Sequence, residues 1–515
     1  MLVYKLDTYR NGVMNLKQLI SLITVAALLF LPTAISAEEE TYSNPPLNEL
    51  DELITELALA HDVPPEIVKS VAQVESGLQQ FKDGEPLIAS DGGIGMMQVT
   101  EEASNEARRF DEDRLKEDIA YNIESGIKIL QEKKDWAGNQ IPELQDAEWY
   151  HLESWYFPVM AYNGLVHANS PIRRADESLN EDAYQEKVFD EIKTMNTGLD
   201  FEEIRNFIDL DDLNYREDNR LSFTIDSFDI PDEDLTISRY ILKEGQKVML
   251  TGQTNLRSDA SRSSDRLNQQ IGGTLATLTS NDLFDRTFDI QPDMMNYSRM
   301  SPWFQIRIPD QSSGYVSGGL IQPVTPVLID LKDSDQETLN LTDIDSHWAR
   351  DKISHLAKAN VISGYNDHSF RPDNEISRQE FTHLVSNIVV GIPEEINTSW
   401  SFSDAEPNAW ATDSIMTAYQ LEIITGFPND TFRPRENVTR AQIAVMIDRL
   451  LNLIDADLPE QEAVTFSDNH PDWADEAIQT ISGYGIINGY NDGTFKAEET
   501  ASRAEVAVIL KRIFQ

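Results

Sequence analysis

Ile487-Asn488-Gly489-Tyr490-Asn491-Asp492-Gly493, then Phe495, then Ala501-Ser502-Arg503-Ala504-Glu505 stand near the end of this 515-residue chain. The same pattern occurs twice upstream. The second copy has Phe402-Ser403-Asp404, Trp410-Ala411, Ile424-Thr425-Gly426-Phe427, Phe432-Arg433-Pro434 and Val438-Thr439-Arg440-Ala441-Gln442. The first has Asp343-Ile344-Asp345-Ser346-His347-Trp348-Ala349, Ile362-Ser363-Gly364-Tyr365-Asn366-Asp367, Phe370-Arg371-Pro372 and Ile376-Ser377-Arg378-Gln379-Glu380. Trp348, Trp410 and Trp473 lie 62 and 63 residues apart, and the Gly364/426/489 and Arg378/440/503 sets repeat those intervals. A fixed period of this kind marks an array of one supersecondary unit. Each unit reads helix, loop, helix, with Gly-Tyr-Asn-Asp-Gly as turn chemistry.

Ser377, Thr439 and Ser502 stand at N-cap positions, followed three residues later by Glu380, Gln442 and Glu505, the spacing of a capping box. The arginine after each cap has no capping role. Three of them near helix N-termini with free N–H donors suggest an anion site.

These segments resemble the S-layer homology (SLH) repeat, over residues 341–391, 402–453 and 466–515. The resemblance implies an all-α three-repeat bundle that binds secondary cell-wall polysaccharide, often pyruvylated, without a covalent bond. It carries the binding role onto Arg378, Arg440 and Arg503, with Gly364, Gly426 and Gly489 at the turns. The boxes Ser-Arg-Gln-Glu and Thr-Arg-Ala-Gln depart from the usual Thr-Arg-Ala-Glu, which implies one weaker groove.

Composition limits the partners. The chain has 89 Asp plus Glu against 42 Lys plus Arg, a formal net charge of −47, with 40% hydrophobic residues and no cysteine. The summed field argues against nucleic acid and anionic lipid as partners. The absence of cysteine excludes disulfides and thiolate chemistry. The length suggests about three to five domains.

Lys5, Arg10 and Lys17 precede an apolar run from Leu19 to Leu31, then Pro32 and Thr33-Ala34-Ile35-Ser36-Ala37. That order reads as a signal peptide over residues 1–37, cleaved after Ala37, with Ser36 as the alternative and Met14 as an alternative start. An uncleaved anchor is the other reading. The mature chain would then carry near −49, be secreted to the cell wall and S-layer surface, and keep no stable membrane insertion.

Asp62-Val63-Pro64-Pro65-Glu66-Ile67-Val68-Lys69-Ser70-Val71-Ala72-Gln73-Val74-Glu75-Ser76-Gly77 reads as a helix. Asp62 caps it, the prolines fit its first turn and Gly77 ends it. Ile67, Val71 and Val74 form the buried stripe. Glu75 falls at the C-terminal end beside apolar residues, where burial and the helix dipole both disfavour its charge. A carboxyl kept protonated near neutrality can protonate a glycosidic oxygen. Downstream come Ser90-Asp91-Gly92-Gly93-Ile94-Gly95-Met96-Met97-Gln98-Val99, Asn122 with Gly126, and Phe157-Pro158-Val159-Met160-Ala161-Tyr162-Asn163-Gly164.

In that order the motifs resemble the lysozyme-like lytic transglycosylase domain of the soluble-transglycosylase (SLT) type, over residues 48–195. The resemblance implies an α-helical (α+β) catalytic domain with Glu75 as the acid/base. It makes Met97, Gln98, Tyr162 and Asn163 cleft residues, supported by Ser76 and Ser90. It also implies the reaction. Glu75 protonates the bond between N-acetylmuramic acid and N-acetylglucosamine of peptidoglycan glycan strands. It then deprotonates the sugar's own C6 hydroxyl, leaving a 1,6-anhydro ring. A hydrolytic muramidase would use water and a second carboxylate; Asp83, Glu85 and Asp91 are near enough in sequence to keep that open. A non-catalytic glycan-binding S-layer or adhesion protein is the reading from another class. No cofactor and no metal are expected, and the chain is expected to act as a monomer.

Residues 200–234 hold 13 acidic and 3 basic residues, which suggests an extended acidic linker over 196–237, while Phe201, Ile204, Phe207 and Ile208 hint that its start is still a docked helix. From 238 to 324 short strand-length runs follow: Lys247–Leu250, Asn255–Ser258, Gly272–Leu275, Trp303–Arg307 and Gly314–Ser317. The Asn-Leu-Arg-Ser, Trp-Phe-x-Ile-Arg and Gly-Tyr-Val segments resemble a bacterial SH3-like (SH3b) domain, a small all-β barrel with residues 279–300 as an inserted loop. The expected whole is a multidomain secreted wall enzyme. A wall is itself polyanionic, so retention must rest on specific sites rather than diffuse charge. The acidity suits an alkaline or salty exterior.

Overall fold

The computed structural model describes residues 42–100, 110–145, 147–196, 199, 203–230, 235–280, 302–329, 331, 341–394, 396–397, 402–406, 409–456 and 464–514. The signal peptide expected over 1–37 lies outside them, as does nearly all of the expected loop 279–300.

The N-terminal region is helical: α1 Leu47–Ala60, α2 Pro65–Ser76, α3 Glu112–Glu117, α4 Ile119–Lys134, α5 Tyr156–Asn163 and α6 Tyr184–Met195. Helix α2 buries Ile67, Val68, Val71 and Ala72 completely. It starts at Pro65, whose fixed φ suits a first helical position, and ends on Gly77 at φ 66°. Asp62 is not its cap. It stands in the preceding turn at φ 54°, and Pro64 takes the cap position without a side-chain bond.

The acidic stretch is not an extended linker. Within it Leu213–Tyr215 pairs antiparallel with Leu221–Phe223, and Ser227–Phe228 pairs parallel with Glu143–Leu144. Ile204, Ile208, Leu213, Leu221, Phe228, Ile230 and Leu235 are buried in the same core as α2. Phe157 of α5 stacks on Phe228 and meets Phe223 edge-on. The charge count overlooked apolar residues spaced every few positions. Each docks inward, while Asp209, Asp211, Glu217, Asp218, Asp226 and Asp229 are exposed.

A polar strap then closes the helical region. Glu66 accepts hydrogen bonds from Ser238 Oγ and the Arg239 N–H, both at 2.8 Å. Lys69, one turn further along α2, pairs with Asp51 at 2.5 Å and donates to Tyr240 Oη at 2.7 Å. Glu153 accepts from the Thr236 N–H at 2.8 Å.

Next comes a seven-stranded antiparallel sheet: β1 Lys247–Leu250, β2 Thr254–Arg257, β3 Arg266–Gln270, β4 Leu275–Leu278, β5 Trp303–Arg307, β6 Ser313–Ser317 and β7 Ile321–Val324. Its order is β7-β1-β4-β5-β6-β2-β3. Val248, Leu250, Leu256, Leu278, Phe304, Ile306, Val316 and Ile321 fill its core. Gly272 and Gly273 form a turn rather than a strand, with Gly273 at φ 80°.

The C-terminal part holds three helix pairs: α7 Arg350–Lys358 with α8 Arg378–Asn387, α9 Thr412–Gln420 with α10 Arg440–Leu453, and α11 Asp475–Gly483 with α12 Arg503–Ile513. All three second helices open with complete capping boxes. A short ladder, Val389–Val390 with Val327–Leu328, is added to the first unit. The core of these units also takes in Met249, Leu275 and Val324 of the sheet. Polar contacts line the same joint. Glu422 pairs with Lys247 and Arg307 and accepts from Thr277 Oγ1, while Gln420 Oε1 accepts from the Leu275 N–H at 3.1 Å.

Candidate active site

Glu75 sits in the last turn of α2, half-buried, next to the end marked by Gly77. The Tyr184 hydroxyl at the start of α6 donates to its Oε1 at 2.6 Å. Burial pushes the Glu75 carboxyl up to about 7; the Tyr184 hydrogen bond opposes that rise and the charge of Asp91 adds to it. A carboxyl poised there is half protonated near neutral pH and can both give and take a proton.

Around it the glycine-rich loop is stitched down. Ile94 bridges both Ile88 and Val99. Gly95 adopts φ 70°, and a Cβ there would lie 2.4 Å from Asn122 Nδ2, so only glycine fits. Asn122 Oδ1 accepts from the Met97 N–H, and Asn122 Nδ2 donates to Ile94 O and Leu115 O. Gln80 holds the loop from the other side, accepting from the Met96 N–H at 2.9 Å.

Among the expected cleft residues, Gln98 is partly exposed at φ 48° and donates to Gly95 O at 2.7 Å. Tyr162 is partly exposed and its hydroxyl donates to Met97 O at 2.7 Å. Asn163 is exposed, and its Oδ1 accepts from Asn169 Nδ2 at 3.1 Å. Asn169 Oδ1 in turn accepts from the Tyr184 N–H at 3.4 Å. Ser90 is exposed beside Asp91.

Two of those residues have other roles. Met97 is fully buried, packed so closely on Gly126 that a Cβ there would meet it at 2.6 Å. It supports the loop through its backbone and its side chain cannot touch a glycan. Ser76 Oγ donates to Ala72 O and accepts from the Gln79 N–H, both at 3.1 Å, so it finishes the helix that carries Glu75.

Tyr184, Asn169 and Tyr215 were not expected at this site. Tyr215, on the strand pair from the acidic stretch, contacts Ser170 Oγ at 2.6 Å and packs its ring 5.2 Å from His167. Tyr184 leaves one sequence signal, an aromatic in the first turn of a helix whose Val188, Phe189 and Ile192 face the core.

Of the acids near the loop, Asp91 is the one whose charge Glu75 feels. Asp83 stands in the exposed turn between Phe81–Lys82 and Glu85–Pro86, at φ 56°.

The three C-terminal units close into a ring through their arginines. Arg378 Nε donates to Phe432 O, Arg440 Nε to Phe495 O and Arg503 Nε back to Phe370 O, each at 2.9 Å. The helix N-termini are not free anion sockets. The Arg378, Arg440 and Arg503 N–H groups donate to Glu436 O, Glu499 O and Asn374 O of the neighbouring unit. Asp343, Asp404 and Asp468 each accept two consecutive N–H bonds at 2.7 Å from the Phe-Arg or Phe-Lys turn. The turn glycines have a packing role: a Cβ on Gly426 would lie 2.2 Å from Phe402, and one on Gly489 2.4 Å from Phe466. At Gly364 the neighbour is Leu341, at 2.6 Å.

Comparison with known families matches residues 52–184 to the transglycosylase SLT domain. Residues 340–382, 401–444 and 467–507 match the S-layer homology domain. The chain therefore carries an SLT domain and three S-layer homology repeats. Similar curated proteins include an amylopullulanase of Thermoanaerobacterium thermosulfurigenes, 31% identical over 33% of this chain and 9% of that protein. The S-layer protein EA1 of Bacillus anthracis is 28% identical over 31% of this chain and 18% of its own length. An uncharacterized cell wall amidase of Bacillus anthracis is 30% identical over 33% of this chain and 31% of its length. The chain thus spans under a third of each of these relatives. The SLT domain points to peptidoglycan cleavage, and the S-layer homology repeats to a cell-surface location. Among the described residues no helix is long and apolar enough to cross a membrane.

Proposed function

We propose that this protein is a lytic transglycosylase held at the cell wall by its S-layer homology repeats. It cleaves the bond between N-acetylmuramic acid and N-acetylglucosamine and leaves a 1,6-anhydro end. One observation carries the reading: Glu75 is a carboxyl raised to about 7 by burial and gripped by Tyr184.

In the first step Glu75 gives its proton to the glycosidic oxygen as the C1–O bond breaks. The substrate's N-acetyl group stabilises the developing positive charge at C1. Glu75, now a carboxylate, takes the proton from the C6 hydroxyl while that oxygen bonds to C1. The proton count closes with no water consumed. Gln98, Tyr162 and Asn163 line the glycan path, Ser90 borders it, and Ser76 and Met97 support it from behind.

A hydrolytic muramidase is the second reading. It is favoured by Asp91, whose charge reaches Glu75 and which can orient a water.

Residues 1–37 would be a signal peptide, and the repeats would bind secondary wall polysaccharide at Arg378, Arg440 and Arg503. The sheet over 238–324 would be an SH3-like module acting as a spacer, since it shares a core with the repeats. Zymography on peptidoglycan tests the enzyme reading: the full chain should clear the gel and Glu75→Gln should not. Clearing by the variant would remove Glu75 from the active site.

A further inference from the structure

The acidic stretch lies beyond the matched SLT residues 52–184, yet it reaches the acid. The route runs through the loop between α5 and α6. Asn169 of that loop is buried, and its polar atoms are all engaged. Its Nδ2 donates to Asn163 Oδ1 and Gly164 O, its backbone O accepts from Gln185 Nε2, and its Oδ1 accepts from the Tyr184 N–H. Helix α6 starts after Ala183, which offers no side-chain cap. Asn169 thus supplies an acceptor that the first turn otherwise lacks. Where the loop holds Asn169 therefore sets where α6 begins, and with it the Tyr184 hydroxyl on Glu75.

Two supports hold the loop. From the α6 side, Asn180 Nδ2 donates to Ala168 O and Ser170 O. On the other side stands the hairpin of Leu213–Tyr215 with Leu221–Phe223. The Leu221 N–H donates to Leu165 O at 2.9 Å, the His167 N–H donates to Asn219 O at 3.1 Å, and Val166 bridges Arg220. Asn219 takes φ 66° at the hairpin turn, a left-handed conformation that asparagine tolerates. Tyr215 adds a side-chain clamp. Its hydroxyl donates to Ile172 O and lies 2.6 Å from Ser170 Oγ, both in buried residues just past Asn169. Its ring packs 5.2 Å from His167, just before Asn169, and the Arg174 guanidinium lies 5.7 Å from the same ring. Tyr215 thus grips the chain on both sides of Asn169.

We propose that Tyr215 is a positioning residue for the acid: by clamping both sides of Asn169 it fixes Tyr184 against Glu75, which makes the acidic stretch part of the catalytic unit. This rests on the enzyme reading above. The groups that reach Glu75 are Tyr184 of α6 and Asp91 of the glycine-rich loop, and Tyr184 in turn feels Tyr162 of α5. Tyr215 bonds and packs instead on Ser170, Ile172, His167 and Arg174, so it acts through Asn169 and Tyr184.

The test is the pH dependence of kcat/KM on peptidoglycan, measured on the full chain for Tyr215→Phe, Tyr184→Phe and the double variant. Tyr215→Phe keeps the ring on His167 and removes the hydroxyl alone; melting temperatures check that each variant folds. Tyr184→Phe should move the alkaline limb upward by about one unit, the weight of one hydrogen bond to a carboxylate, and Tyr215→Phe should move it the same way by about half a unit. In the Tyr184→Phe background Tyr215→Phe should move the limb no further, because the bond it positions is gone. A Tyr215→Phe chain that keeps the wild-type limb, whatever its melting temperature, or one whose shift is the same in both backgrounds, would overturn the proposal. A Tyr184→Phe chain with the wild-type limb would overturn the Tyr184–Glu75 coupling on which it depends. A wild type inactive on peptidoglycan would overturn the enzyme reading and this proposal with it.

Discussion

The Tyr184 hydroxyl lies 2.6 Å from Oε1 of Glu75 and donates to it. The bond favours the ionised carboxyl, so it holds the Glu75 pKa below where burial alone would push it. Asp91 acts in the opposite sense, since its negative charge favours the protonated form. One hydrogen bond and one remote charge thus bracket the proton that the chemistry needs.

That balance sets the pH dependence. On the proposed mechanism protonated Glu75 acts as the acid, so kcat/KM should fall as pH rises through about 7. Tyr184→Phe removes a stabiliser of the carboxylate and should move the alkaline limb upward. Asp91→Asn removes a destabiliser and should move it downward. Turbidity assays on peptidoglycan across pH check both signs; shifts in the same direction would refute the assignment.

The acidic stretch should prove structural. A chain ending after residue 195 loses Ile204, Ile208, Leu213, Leu221, Phe228, Ile230 and Leu235 from its core. It should aggregate or melt well below a chain ending after residue 241, which keeps the Glu66–Ser238 and Lys69–Tyr240 bonds. Phe228→Ala in the full chain should cost about 3 kcal/mol, read by denaturant unfolding.

The joint between sheet and repeats should be sensitive to acid. Lys247 and Arg307 hold the Glu422 carboxyl down at about 2. A depressed carboxylate adds stability that is full above its unfolded pKa and is lost as pH falls toward 2. Glu422→Ala leaves Lys247 buried without its carboxylate and should destabilise the joint by about 3 kcal/mol. Calorimetry should then resolve separate transitions for sheet and repeats, and the wild type should show the same split only in acid.

Gly426 should behave as a packing residue. It stands at φ 69° with Phe402 where a Cβ would go. Gly426→Ala should lower the melting temperature of the repeats. Adding Phe402→Leu should recover part of the loss, because Leu341 fills the matching place against Gly364. Failure of the second change to help would put the role of the glycine elsewhere.

Periodicity made the repeats and their capping boxes legible in the sequence, and motif order did the same for α2, the glycine-rich loop and Glu75. Contacts closed over long separations were not legible. Tyr184 reaches Glu75 across 109 residues, and nothing local to either announces the pair. The Gly-x-Met-Met-Gln segment put Met97 and Gln98 side by side without saying which faces out; the packing of Met97 on Gly126 decides it. Net charge misread residues 203–230, because it is insensitive to where the few apolar residues fall. The helix N-termini looked open for an anion because the neighbouring repeat's carbonyls lie about 60 residues away, as with Arg378 and Glu436.

Mass spectrometry of peptidoglycan digested by the full chain decides between transglycosylation and hydrolysis. The wild type should leave 1,6-anhydro-muramoyl ends, formed without solvent oxygen when the digest is run in heavy-oxygen water, and Glu75→Gln should give no products. Reducing ends carrying the heavy oxygen, or products that persist in the variant, would contradict transglycosylation by Glu75.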